Sequence, residues 1–463
     1  MKNNNSAITT VIGASAKGKT SSIIVPQLLD VIKKGQSFVI CDPKNQILNY
    51  IGNELERESF KTITLNLREP SKSMSWNPLI PPYRIFVDGN KQKAYSLLSD
   101  VAKSIYVSLG GQQKDFWDSS AYAFFVGLVS SIYDKASEEE INLKSILNMA
   151  IVGEEKFAAS NYLKEYFDLE VEGSYPRQSS HNVINAPTET KGGILAVFKN
   201  SLQQLSANNK YENILCFNDF SLEDCMQDKV AIILNYEDEN PDGAVIVSVF
   251  LDMFYKYVID KRTKQPELNV YTFFLDDFLS LPKLYSFDEM IMSSISRNVS
   301  LVTAINSRSL FEKKYGKESM DALLSNSTNI MYFSSNDINM HQHLSDICKQ
   351  KGFNWTENEN NSVLYISENE KPKLLPLSLS PIYNFVQSYT NTHLNEQVKV
   401  FPMKEYVKEK KRNKLFESLE SPPKELNILN ENHLPTSFIN NGQEVRGLVG
   451  SINERMQELS NME

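Results

Sequence analysis

Short, continuously apolar runs recur along the chain between polar turns, and they predict strands. The first is TTVIG (Thr9–Gly13), followed by SFVICD (Ser37–Asp42) and KTITLNL (Lys61–Leu67). Between the first two lies the apolar helical stretch SSIIVPQLLDVI, which stops at Lys33-Lys34-Gly35. Two cations and a glycine suit a helix C-terminus. Strand, helix, strand, with strands apolar throughout, predicts a parallel sheet buried on both faces. From Tyr83 to Asn213 the pattern turns helical and strand signals nearly vanish. The segments are KQKAYSLLSDVAKSIYVSL, DFWDSSAYAFFVGLVSSIYD, LKSILNMAI, EKFAASNYLKEYF and GGILAVFKNSLQQL. Strands then return as KVAIILNY, NVYTFFLDD, NVSLVTAI, NIMYFSS and SVLYIS, alternating with helical segments. The fold class is therefore α/β. A parallel-sheet domain in two parts, 1–82 and 214–377, is interrupted by an all-α insertion over 83–213. Residues 378–463 are charged and Pro-interrupted. They read as a flexible or docking tail without its own core, ending in a weak helix.

Composition narrows the function classes. Of 463 residues, 41% are hydrophobic and 23% charged, so the chain buries a sizeable core. Lys+Arg is 48 against 57 Asp+Glu, a net charge of −9. Such a chain does not coat nucleic acid over its whole surface, and any contact needs a local basic patch. Cys41, Cys216, Cys225 and Cys348 lack CxxC spacing, which argues for reduced thiols in a cytosolic protein without a zinc site. The N-terminus has no apolar signal region. The best membrane candidate, Ala121–Tyr133, falls short of the about 18–20 residues a spanning helix needs and reads as a buried helix.

The chemistry concentrates in two places. Gly13-Ala14-Ser15-Ala16-Lys17-Gly18-Lys19-Thr20 fits G-x-x-x-x-G-K-[ST] at every specified position, after a strand and before a helix. Amides of such a loop converge on phosphates, and glycines let the backbone approach. Lys19 neutralises β/γ oxygens, and the Thr20 hydroxyl ligates Mg²⁺. Ser21 completes the expected nucleotide-binding set, with ATP and Mg²⁺ as cofactors. The second place is the strand YTFFL ending in Asp276-Asp277. The expectation is that Asp276 serves the metal and Asp277 orients the attacking water.

With these pieces in order, the chain resembles the type IV coupling proteins of bacterial conjugation (TraG/TraD-type). Asp42-Pro43-Lys44 resembles the family's D-P-K-G-E motif, and Trp76-Asn77-Pro78-Leu79 its N-P-L/F segment. Phe116-Trp117 opens a helix of the insertion. Leu275-Asp276-Asp277-Phe278 resembles L-D-E-F. Ser296-Arg297, Ile305-Asn306-Ser307 and Tyr315-Gly316 resemble the later G-R, Q-S and Y-G elements. The departures are Asn45-Gln46 for Gly-Glu, Asp277 for Glu and Asn306 for Gln. The resemblance covers about Thr9 to Leu377. It implies a P-loop (RecA-like) ATPase forming a homo-oligomeric, hexameric ring with ATP between subunits. It further implies partners: single-stranded DNA, a relaxase and type IV secretion channel components. The expected location is cytoplasmic, at the inner face of the cell membrane. The family usually begins with membrane helices, and no transmembrane segment is expected in this chain.

The same resemblance implies Lys19, Asp277, Asn306 and Arg297 as the catalytic set. Arg297 reads either as a finger reaching a neighbour's γ-phosphate or as a surface arginine ending a helix. Lys44 either faces the nucleotide or is a solvated turn residue. Lys408, Lys410, Lys411, Arg412 and Lys414, interspersed with Glu405 and Glu409, read more as a solvated helix face than a DNA contact. Ser108-Leu109-Gly110-Gly111-Gln112 reads as a helix-ending turn and His341-Gln342-His343 as a polar helix face. Two other functions stay open: an FtsK-type double-stranded DNA translocase, and a docking adaptor that binds ATP and barely hydrolyses it.

Overall fold

The computed structural model describes residues 6–420 except 111–114, 207–208, 240, 266–267, 334–336, 356–361, 384 and 386–388. Gly111, Gln112 and the expected terminal helix beyond residue 420 lie outside the described residues.

Nine strands form one sheet. They are β1 (Ile8–Ile12), β2 (Phe38–Asp42), β3 (Lys61–Asn66), β4 (Val230–Asn235), β5 (Tyr271–Leu275), β6 (Val299–Ile305), β7 (Asn329–Tyr332), β8 (Ser362–Ser367) and β9 (Lys373–Pro376). The order is β9-β8-β7-β1-β6-β5-β2-β4-β3. β1 to β7 are all parallel to one another. β8 and β9 are antiparallel additions, which differs from the wholly parallel expectation. The connection between Ser367 and Lys373 is too short for a parallel crossover, so it closes a hairpin.

Side chains alternate between the faces, as the two-residue period of a strand requires. Val39, Cys41, Ile232, Leu234, Phe273 and Leu275 enter one core, and Phe38, Ile40, Ala231, Ile233 and Phe274 the other. The second core is covered by α1 (Val25–Lys33) and α2 (Leu48–Arg57). Both faces are buried, which is why these strands read as unbroken apolar runs.

Helices dominate between β3 and β4. They are α3 (Ile80–Val87), α4 (Lys91–Ser108), α5 (Phe116–Ile132), α6 (Leu143–Val152), α7 (Tyr162–Asp168), α8 (Tyr175–Ile184), α9 (Thr188–Ser206) and α10 (Asn209–Cys216). α5 is the apolar segment and is buried. The helix expected over EKFAASNYLKEYF is shorter. Lys156–Phe157 and Ser160–Asn161 pair as a small antiparallel ribbon, and Asn161 caps α7 by accepting from the Lys164 amide. α8 has too polar a sequence for its periodicity to stand out. α3 begins at Ile80-Pro81-Pro82, where proline suits a first turn rather than breaking a helix. The cores of these helices and of the sheet's first face are continuous: Leu65, Leu67 and Trp76 belong to the same cluster as Phe124 and Phe198.

The remaining helices are α11 (Leu222–Cys225), α12 (Pro241–Lys264), α13 (Phe287–Ser293), α14 (Arg308–Tyr315), α15 (Lys317–Asn326), α16 (Ile338–Gln350) and α17 (Met403–Glu420). Of the segment after Leu377, several described residues dock on the rest of the molecule. The Ser380 amide donates to Ser21 O (3.1 Å) and the Tyr383 amide to Asn49 O (2.7 Å). Phe385 lies against Gly52, where a Cβ would sit 2.3 Å from the ring. Further on, Phe401, Met403 and Val407 are buried against the helical block. Among the described residues, no helix is long and apolar enough to cross a membrane.

Candidate active site

The phosphate loop leaves the sheet at Gly13, whose amide donates to Ile305 O (3.1 Å). A Cβ here would lie 2.4 Å from Cβ of Phe333, so this close approach needs glycine. Ala16 (φ 60°) and Gly18 (φ 83°) adopt left-handed conformations that curl the loop back on itself. Among the described residues, the amides of Ser15 to Gly18 donate to no acceptor. Free, convergent amides are what an anion cradle offers. Lys19 is 5% exposed, and its Nζ donates to Gly13 O (2.7 Å) and Ala14 O (2.9 Å). Burial pulls its pKa below the ordinary lysine value, although Asp277 and Asp276 oppose this. A buried ammonium satisfied only by two carbonyls is under-compensated, and a phosphate would complete it.

The acidic side of the site comes from β5. Thr20 Oγ1 donates to Asp276 Oδ2 at 2.6 Å, linking loop and acid. Asp276 is almost wholly buried, and burial pushes its carboxyl up to about 6, against the Thr20 hydrogen bond. A hydroxyl and a reluctantly ionised carboxylate side by side suit a hard divalent cation such as Mg²⁺. Asp277 follows in a left-handed conformation (φ 44°), and its amide donates to Asp276 Oδ1 (3.0 Å). Its charge acts on Asp276 and adds to the rise of that carboxyl's pKa. β6 lies between β1 and β5, so Asn306, one residue past its end, stands between the phosphate loop and the acids. Asn306 Oδ1 is buried without a partner, an acceptor left open.

A family description for type IV secretory system conjugative DNA transfer matches residues 2–370. The chain belongs to this family. Its fold is similar to solved coupling-protein structures. One is the bacterial conjugative coupling protein TrwBdeltaN70 with sulphate, at 14% identity, covering 82% of this chain and 88% of that one, with a TM-score of 0.61. Another is plasmid coupling protein TrwB with ADP and Mg²⁺, at 14% identity over 82% and 88%, with a TM-score of 0.53. At such identity the likeness establishes the RecA-like P-loop fold. No curated protein sequence matches the chain.

Within this family member, the sequence-picked residues divide. Gly13 to Ser21, Asp276, Asp277 and Asn306 assemble at the C-terminal end of the parallel strands. Arg297 does not join them. It is exposed just before β6 begins, at the N-terminal end of the parallel strands, and cannot serve its own chain's loop. Lys44, left between two roles by the sequence, reaches Asp277: its Nζ lies 2.7 Å from Asp277 Oδ2. The turn that carries it is capped by Asp42, whose carboxylate accepts the amides of Gln46 (3.1 Å) and Ile47 (2.9 Å). Asn45 sits at φ 51°, a conformation asparagine tolerates where the resembling motif has glycine. Tyr315 stacks on Phe278 (5.3 Å) and braces the turn after Asp277. Trp76 packs edge-on against Phe250 (5.0 Å), and Asn77 Nδ2 donates to Ile141 O (2.7 Å), so the W-N-P-L segment ties helices to sheet. Two contributions were hidden from sequence reasoning. One is the 379–383 segment beside the loop, with Leu379 3.5 Å from where a Gly18 Cβ would stand. The other is the pairing of Lys44, for which the D-P-K motif was the available signal.

Proposed function

We propose that this protein is an ATP-driven coupling protein that delivers DNA and an attached relaxase to a conjugative type IV secretion channel. The observation that carries this is the Thr20–Asp276 contact at 2.6 Å beside a buried, carbonyl-bound Lys19, in a chain of the conjugative DNA transfer family. The amides of residues 14–21 and Lys19 would hold the phosphates of ATP, and Thr20 with Asp276 would hold Mg²⁺. Bound there, Mg²⁺ supplies charge neutralisation for phosphoryl transfer. Asp277 would accept the proton of the attacking water, and the open Asn306 Oδ1 would orient that water. Arg297, at the opposite end of the parallel strands, would act only on a neighbouring subunit's nucleotide, in a hexameric ring.

We assign residues 1–82 and 214–377 to the nucleotide-binding domain, 83–213 to a cargo-recruiting helical insertion, and 378–463 to a C-terminal tail. The location consistent with this is the cytoplasmic face of the cell membrane. The test is steady-state ATP turnover with and without single-stranded and double-stranded DNA. Stimulation by single strands supports the coupling motor, and stimulation by duplex alone supports a double-stranded DNA translocase. A second reading has its own observation. Asp277 is shorter than the family's glutamate and is already engaged by Lys44. Tight Mg-ATP binding without turnover would make the protein a nucleotide-dependent docking adaptor.

A further inference from the structure

We propose that Lys44 is a positioning residue for Asp277: the turn after β2 exists in this form to hold the catalytic carboxylate at a fixed place. The inference rests on the ATPase reading above. β2 and β5 are neighbours with Cys41 opposite Leu275, so Asp42 and Asp276 emerge side by side and their turns leave the same edge of the sheet. Each turn is fixed independently. Asp42 accepts two amides of its own turn and Asn235 Nδ2 (3.1 Å), and Arg68 Nη2 donates to Pro43 O (2.8 Å). Asn45 Nδ2 reaches Glu69 Oε1 (3.3 Å). On the other side, Asp277 O accepts both the amide (2.8 Å) and the hydroxyl (2.7 Å) of Ser280, whose Oγ also meets the Tyr236 hydroxyl (2.9 Å). Phe278 is buried. Two rigid turns thus deliver one ammonium to one carboxylate at 2.7 Å.

The side chain of Lys44 is 48% exposed, and an ion pair this wet adds little to stability. Its consequence is geometric. Asp277 also faces Lys19 and lies next to Asp276, and Lys44 further feels Asp238. Without Lys44, the adjacent carboxylates of Asp276 and Asp277 repel each other and Lys19 becomes the nearest cation for both. Asp277 would then swing toward the phosphate loop. With Oδ2 tied to Lys44, Oδ1 alone is left to take the water's proton. A displacement of about 1 Å at such a position costs roughly a hundredfold in rate.

The experiment uses the full chain. Lys44→Met is expected to lower kcat by about ten- to a hundredfold. The KM for ATP and the affinity for a fluorescent non-hydrolysable ATP analogue should stay within about twofold. Lys44→Arg should recover most of the loss, because a guanidinium reaches the same oxygen. In an Asp277→Asn background, which has no turnover left to lose, Lys44→Met should leave the analogue affinity unchanged, since it acts through Asp277. Analogue affinity that falls in step with kcat would make Lys44 a phosphate ligand and overturn the inference. So would an unchanged kcat, or a change in analogue affinity when Lys44→Met is added to Asp277→Asn. A wild-type protein that binds the analogue but never turns over refutes the motor reading. In that case an Asp277→Asn protein whose analogue affinity responds to Lys44→Met overturns the positioning role as well.

Discussion

Asp276 is where folding and chemistry oppose each other, and the opposition is measurable. Its carboxyl is 4% exposed, and burial is the main influence pushing it from 3.8 to about 6. Because the folded-state value is raised, the protonated form is the one that stabilises the fold. That contribution is complete below pH 3.8 and is lost as pH rises through about 6. The gap, 6 − 3.8 = 2.2, at about 1.36 kcal/mol per pH unit corresponds to about 3 kcal/mol. Above pH 6 the metal-free protein is less stable by that amount than it would be with a neutral group there. Asp276→Asn supplies a neutral group with the same shape; it keeps the acceptor for the Thr20 hydroxyl (2.6 Å from Oδ2) and loses the one for the Asp277 amide (3.0 Å from Oδ1), which offsets about 1 kcal/mol of the gain. In chelator and without nucleotide, the variant should therefore be more stable than wild type at pH 7.5, by about 2 kcal/mol. The difference should shrink towards zero near pH 4. Adding Mg²⁺ and ATP should reverse the order, because only the carboxylate serves the metal. Denaturant unfolding at the two pH values, with and without ligand, measures all of this. A variant less stable than wild type at pH 7.5 in chelator, or a gap that ignores pH, would refute the reasoning.

Lys19→Ala should cost about a hundredfold or more in ATP turnover or affinity, because the phosphate charge loses a preorganised cation; fluorescent-nucleotide titration and steady-state ATPase check it. Asp277→Asn should leave analogue binding near normal and remove turnover. Asp277→Glu should lower turnover despite matching the length in related motifs, because Lys44 is set 2.7 Å from the shorter side chain; a rise would refute this. Phe401→Ala should destabilise the protein by about 3–5 kcal/mol in denaturant unfolding, since this ring is 2% exposed against Tyr166 and Tyr406. No change there would mean that the segment after residue 377 does not dock.

What could be read from the sequence follows from how locally each feature is encoded. β2, β4 and β5 announce themselves because a strand buried on both faces has no polar position to interrupt it. The phosphate loop and Asp276-Asp277 were legible because each is a few consecutive residues with its required setting alongside. The hidden features depend on spatial neighbours. Lys44 meets Asp277 only because β5 lies directly beside β2, and nothing in either segment states that adjacency. The segment carrying Phe401, Met403 and Val407 offers few apolar positions among lysines and glutamates, so it read as lacking a core of its own. It does lack one: it borrows the core of α6 and α7, whose open face is invisible until they pack.

The strand order also explains where the residues of the expected catalytic set stand. Inserting β6 between β1 and β5 puts the C-terminal end of β6, with Asn306, into the site, and its N-terminal end, with Arg297, as far from the site as the sheet allows. The strand Val299–Ile305 lies between the two residues, and at about 3.3 Å per residue it alone separates them by roughly 20 Å. One subunit therefore cannot bring both to the same phosphate. If both act in hydrolysis, they must act on different nucleotides, Asn306 on its own and Arg297 on a neighbour's. A chain confined to the monomer would then keep its nucleotide affinity while losing the part of turnover that Arg297 supplies, and Arg297→Ala would change turnover only in the assembled state.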